Sequence, residues 1–302
     1  MKYKMLLLIL FTIGLFSPYV CRSIDYPHQN WELDRRGDSD TVLAALAEEI
    51  GGDGCVVLNG KILYSWGRVD RHRDWASASK PILSTLLFCA LDRHLVRSVD
   101  DRLTDYGVLL KGKDTTITFR TLGAMTSGYV LCEAAGQAYA YNDYAIQLYK
   151  KTLFENVYKQ TAQKTTEQQF RALNFEVHWS KLYHLGMGKS VTRSNLAKAK
   201  MPPHKERISM SVRDYARLVW LWRNRGKWDK RRLVSRKLFR KYMRPQVPYG
   251  LPHAASCDSI DDYLGIGSYG GGADHFTRLG PGVYGFNWWF NRPLPQNGGQ
   301  PL

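Results

Sequence analysis

A serine hydroxyl is a weak nucleophile until a neighbouring base takes its proton, and a base fixed one helical turn away supplies that directly. Ser77-Ala78-Ser79-Lys80 is the only S-x-x-K in the chain. On a helix, a spacing of three places the Lys80 amine on the same side as the Ser77 hydroxyl, within hydrogen-bonding reach. A helix that starts at the serine also offers unpaired N–H groups and a positive dipole end, which favour negative charge developing at an attacked carbonyl. The motif alone is weak: about one S-x-x-K is expected by chance in a chain of this length at ordinary residue usage. Its plain alternative is a surface helix cap beside an ordinary lysine. Tyr141-Asn142-Asp143 is the second group able to take part. A tyrosine oxygen near Ser77 and Lys80 can pass protons between nucleophile and leaving group, while Asp143, two residues on, can hold the lysine or a substrate amide. The alternative there is an aromatic turn before a helix, with Asn142 or Asp143 as its cap.

These side chains work together only if the elements around them bring them together. Ser79 to His94 carries Ile82, Leu83, Leu86, Leu87, Ala90 and Leu91 on a broad apolar face and reads as a helix, and Pro81 fits the first turn, so Ser77 sits just at or inside a helix start. Before it, Cys55 to Leu58 and Lys61 to Trp66 are β-rich runs joined by Asn59-Gly60, the pattern of a tight hairpin. Val42, Leu43, Leu46 and Ile50 mark an amphipathic helix that follows Ser39 and ends at Gly51-Gly52, while residues 24–37 read as an irregular, polar linker. Ile117 to Met125 reads as a short helix ending at Thr126-Ser127-Gly128, and Asn142 to Tyr158 as a longer one. Lys159 to Gln169 shows no core pattern. Ser211 and Asp214 form a capping pair ahead of Tyr215, Leu218, Val219, Leu221 and Trp222, with Gly226 as terminator. Gly265 to Gly282 is a glycine-rich loop and Val283 to Phe290 an aromatic strand. Strands near both ends with helices between predict an α+β fold, an antiparallel sheet completed by distant segments with a helical region at about 77–264 inserted.

Composition narrows the setting. Lys2 and Lys4 followed by the apolar run Met5 to Phe16 and by Ser17 and Ser23 read as an export signal over residues 1–23, too short for a comfortable span. No other stretch is apolar enough to cross a bilayer, so a periplasmic or secreted location is expected. The net charge of +16 favours anionic surroundings such as a phosphate-rich envelope polymer. Its densest block, Arg223 to Arg244, fits a solvated amphipathic helix after Ser235 better than a nucleic-acid site. Cys55, Cys89, Cys132 and Cys257 match no zinc spacing and read as buried free thiols. His253, Asp274 and His275 match no metal spacing, and no Lys-Ser/Thr follows Gly270-Gly271-Gly272 to make a phosphate cradle. No nucleotide or metal cofactor is implied.

Taken in order, several segments are together more specific than any one of them. They are the Asn59-Gly60 hairpin, Trp75-Ala-Ser77-Ala-Ser-Lys80, Val99-Asp100-Asp101, Ile117 to Gly128, Tyr141-Asn-Asp143, and Ile208-Ser-Met-Ser211-Val-Arg-Asp214-Tyr-Ala216. From about residue 38 to the end the chain resembles the beta-lactamase-related serine hydrolases, a group that includes class C beta-lactamases, D-alanyl-D-alanine peptidases, D-aminopeptidases and certain esterases. The resemblance implies Ser77 as acylated nucleophile, Lys80 as proton acceptor and Tyr141 as the tyrosine of the second motif, with Asp143 where asparagine is common. Placing Tyr139 on that tyrosine would instead put Tyr141 at the asparagine position. A third family motif, a Lys or His followed by a small residue and Gly on a strand after Val283 to Phe290, has no counterpart up to Leu302. The expected activity is hydrolysis of an ester, amide or beta-lactam, with a cell-wall D-amino-acid peptide or an ester as substrate class. The rival expectation is a non-catalytic, envelope-associated binding protein or a truncated, inactive homologue.

Overall fold

The computed structural model describes residues 25–180, 207–255, 261–268 and 279–291. Helix α1 (Thr41–Ile50) starts at Asp40, whose carboxylate accepts from the Val42 and Leu43 amides, so the cap lies one residue after Ser39. The helix forms where its spacing predicts, yet Val42, Leu46 and Ile50 are exposed and only Ala47 is buried. Strands β1 (Gly54–Leu58) and β2 (Lys61–Trp66) form the expected hairpin, with positive φ at Asn59 and Gly60. Strand β3 (Arg73–Asp74) follows, and helix α2 (Lys80–Asp92) is preceded by a 3-10 turn over Ala76–Ser79.

Helix α3 (Phe119–Gly123) is closed by a Thr118–Thr121 capping box. Helix α4 (Asp143–Lys151) continues as a π-helical turn over Thr152–Val157. Helix α5 (Ala162–Gln169) lies in the stretch that shows no core pattern, and the reason is chemical: it buries Ala162, Thr165, Thr166 and Gln169, a mostly polar face. Thr166 satisfies itself locally by donating to the Ala162 carbonyl at 2.8 Å and accepting from Trp179 Nε1 at 2.9 Å. Hydrophobic periodicity cannot register such a face.

Strands β4 (His178–Ser180) and β5 (Arg207–Met210) join β3 in an antiparallel sheet ordered β3–β5–β4. Helix α6 (Val212–Arg223) begins at the Ser211 cap and packs on β1, and Gly226, at φ 81°, turns the chain away. The short hairpin β6 (Lys227–Trp228) and β7 (Arg231–Arg232) leads to helix α7 (Arg236–Tyr242). Among the described residues, Val283 to Phe290 is not one strand but a tight hairpin of β8 (Tyr284–Gly285) and β9 (Trp288–Trp289), because Phe286 and Asn287 both take positive φ. The Asn287 amide donates to the Gly123 carbonyl, and Ser84 Oγ donates to Asn287 Oδ1 at 2.7 Å, so that turn is fixed to α2 and α3.

The result is α+β, with small antiparallel sheets around a helical middle. The hairpin β1–β2 pairs with no C-terminal strand among the described residues. The core centres on α2. Phe88 is fully buried, with Phe239, Tyr242, Phe286 and Trp288 all within 6.0 Å of it, ring centre to ring centre. The polar segment before α1 is irregular but held. Buried Arg217 donates to the carbonyls of Pro27, His28, Gln29 and Leu173, and Trp31 is covered. Among the described residues no helix is long and apolar enough to cross a membrane.

Candidate active site

The turn that carries Ser77 is clamped from several sides. Asp74, at the end of β3, accepts from the Ala76 amide at 2.7 Å and pairs with Arg207 Nε at 2.9 Å. Trp75 lies flat on Tyr215 at 3.9 Å, and its indole N–H donates to the Met210 carbonyl. Tyr215 in turn donates to the Ala78 carbonyl at 2.6 Å. Between these anchors Ala76 is forced to φ 44°, a left-handed conformation that costs a residue with a Cβ on the order of 1 kcal/mol. Strain held immediately before a candidate nucleophile is the kind that a functional constraint retains. Ser77 is exposed at the turn's outer side, while Lys80, at the first position of α2, is buried.

Lys80 meets three of the groups singled out by sequence. Its Nζ donates to Ser77 Oγ at 2.8 Å, lies 3.5 Å from Asp143 Oδ1, and stands 4.8 Å from the centre of the Tyr141 ring. The two halves of Asn142-Asp143 divide their work. Asn142 is committed to structure: its Oδ1 caps α4 by accepting from Tyr144 and Ala145, and its Nδ2 donates to the Tyr129 carbonyl at 2.8 Å. Asp143 faces the lysine. Tyr139, the alternative tyrosine, packs edge-on against His253 and Tyr284, leaving Tyr141 as the ring against Lys80. A buried amine flanked by a carboxylate, a hydroxyl and an aromatic face has a partner on each side, which lets it be buried at all. Such a cluster has the parts for proton transfer to and from a serine oxygen.

No family model matches the chain, and no curated relative matches it. Solved structures do. The protein from Bacteroides dorei assigned as a beta-lactamase superposes with a TM-score of 0.57 at 16% identity, over 86% of this chain and 80% of that one. FmtA from Staphylococcus aureus gives 0.55 at 12% identity, over 90% and 79%. The beta-lactamase/D-alanine carboxypeptidase from Pseudomonas syringae gives 0.51 at 16% identity, over 71% of each chain. The chain has the beta-lactamase/penicillin-binding-protein-like fold.

Within that beta-lactamase-like fold, some groups around the site escaped sequence reading. Trp289 and Tyr284 of the C-terminal hairpin pack against Tyr141, with ring centres at 5.7 and 5.9 Å. The Trp288-Trp289 pair is thus packing, one ring in the Phe88 core and one at the Tyr141 wall. Tyr215 was legible only as part of an apolar helix face; its position after the Ser211–Asp214 cap was the available signal. His253 is a partner of Tyr139, while Gly270 to Gly272, Asp274 and His275 lie outside the described residues. The reading of four buried free thiols is corrected at Cys132, which is disulfide-bonded, whereas Cys55 and Cys89 are free. Scattered spacing conceals such a pairing because the fold, not the sequence interval, brings thiols together. Complete burial pushes the Cys89 thiol up to about 12, leaving it inert.

Proposed function

We propose that this protein is a serine hydrolase that acts through an acyl-enzyme on an ester, amide or beta-lactam carbonyl. One observation carries the reading: the buried amine of Lys80 stands 2.8 Å from the exposed hydroxyl of Ser77. With the amine neutral, the Ser77 proton passes to Lys80 Nζ as Oγ bonds to the carbonyl carbon. The bond to the leaving oxygen or nitrogen then breaks, and that atom takes a proton relayed through Tyr141. Water attacks the serine ester, releases the acid and returns the proton to Ser77. The net change is substrate plus water to acid plus alcohol or amine; in a beta-lactam the amine stays attached. The start of α2 beside the serine favours the negative charge of the tetrahedral intermediate.

The name of the Pseudomonas syringae protein supports a small-molecule or peptidoglycan-type substrate, a D-amino-acid peptide of the cell wall or an ester. Export to the periplasm or beyond is supported by the basic and apolar first residues and by the disulfide at Cys132, a bond favoured outside reducing compartments. The test is covalent labelling of the purified chain with a fluorophosphonate and a fluorescent penicillin, read by intact mass. One adduct with either probe, abolished in Ser77→Ala, is the expected result. A folded sample that takes neither probe overturns the enzymatic reading in favour of a non-catalytic, envelope-associated binding protein.

A further inference from the structure

Far from one another in sequence, His72 and the pair Glu176 and His178 meet on one face of the sheet β3–β5–β4. The register explains why. Arg73 pairs with Met210, and His178 pairs with Ser209. Side chains alternate between faces, so His178 shares the face of Ser209, and His72, one residue before Arg73, takes that face too. Glu176 precedes His178 by two, and the sequence exposed, buried, exposed across Glu176, Val177 and His178 keeps both on it. The opposite face sends Ile208 and Met210 into the core.

The donor atoms converge. His178 Nε2 is 2.8 Å from Glu176 Oε1, and His72 Nε2 is 3.7 Å from Glu176 Oε2. One ligand atom from each residue lies within 4.8 Å of the others, with the imidazole rings 5.2 Å apart. Two imidazoles and a carboxylate are a borderline donor set suited to zinc and its neighbours. With ligands at about 2.0–2.1 Å, tetrahedral geometry sets donor atoms about 3.3 Å apart, so small rotations of these partly exposed side chains from a spread of at most 4.8 Å would seat the ion. A surface His–Glu ion pair would need only His178; the second carboxylate oxygen facing a second imidazole is what such a pair does not require. We propose that His72, Glu176 and His178 bind a divalent transition-metal ion of the zinc type, with water completing its coordination. The ion clips β4 to β3 across β5, and so braces the strand that leads into the Ser77 turn.

The experiment uses the full chain stripped of metal by a chelator. Zinc is titrated by calorimetry and thermal unfolding, and cobalt(II) is loaded for visible absorption. Expected are one equivalent bound, a rise in Tm with zinc by mass action, and cobalt d–d bands of a four- or five-coordinate site. His72→Ala and His178→Ala should each weaken binding by more than about tenfold, the lower end of the loss even for a supporting residue. Neither should alter the unfolding of the metal-free chain by much. Absence of one-to-one binding to the wild type overturns the proposal, as does binding unchanged in both variants. Ser77 labelling is not the readout, so this result and the hydrolase reading fail separately.

Discussion

At the scale of single residues, Asp143 puts a carboxyl where asparagine is common in the pattern this chain resembles. The Asp143 carboxylate, 3.5 Å from Nζ, competes with Ser77 Oγ for the Lys80 amine, the group that the proposed reaction needs at the serine. Asn at this position would keep a polar partner without the charge. Asp143→Asn is therefore expected to raise the rate of Ser77 labelling at neutral pH several-fold, with the labelled site unchanged by mass mapping. A fall of about a hundredfold or more, the size expected when a general acid or base is lost, would instead place Asp143 among the proton-transfer groups. Ser77, Lys80, Tyr141 and Asp143 were all legible in the sequence, because spacing and motif order encode them. The contacts that hold the turn were not. Asp74, Tyr215 and the C-terminal aromatics reach it from distant segments, and no local pattern records a cross-chain hydrogen bond.

At the scale of elements, capping and turn chemistry read well and burial read badly. The Asn59-Gly60 hairpin, the Ser211 cap and the helix after Ser235 follow from local rules, and each forms where those rules put it. Helix α5 hides behind a buried polar face, and α1 shows an apolar stripe that stays exposed. The segment Val283 to Phe290 misleads because aromatic residues signal strand strongly, while the positive φ that folds it falls on Phe286 and Asn287 rather than on glycine. The 3-10 turn before α2 is the element on which the site depends, and Ala76 is its strained residue. Ala76→Gly removes the Cβ penalty at φ 44° and adds some entropy to the unfolded chain, so a net gain of at most about 0.5 kcal/mol is expected. The same change loosens the clamp on Ser77. Stability should rise in denaturant unfolding while the labelling rate falls; loss of stability would show that the turn is not strained.

At the scale of the whole molecule, the +16 charge is not spread evenly. Helix α7 turns Phe239 and Tyr242 into the core around Phe88, which fixes the helix rotationally and leaves Arg236, Lys237, Arg240, Lys241 and Arg244 outward around one shallow depression. The exposed Arg231 and Arg232 of the preceding hairpin extend the same basic character. Positive charges this dense raise the local concentration of polyanions, and the attraction weakens as salt shortens the screening length below about 10 Å. A phosphate-rich polyanion would be gathered there without any specific pocket. Reversal of four of these charges, in Arg236→Glu, Lys237→Glu, Arg240→Glu and Lys241→Glu, leaves the buried side of α7 untouched. The variant should elute from a phosphocellulose column at clearly lower salt than the wild type, with the same Tm within a few degrees and the same Ser77 labelling. Equal elution would mean that the charge acts diffusely over the molecule, and that α7 is simply a solvated helix face.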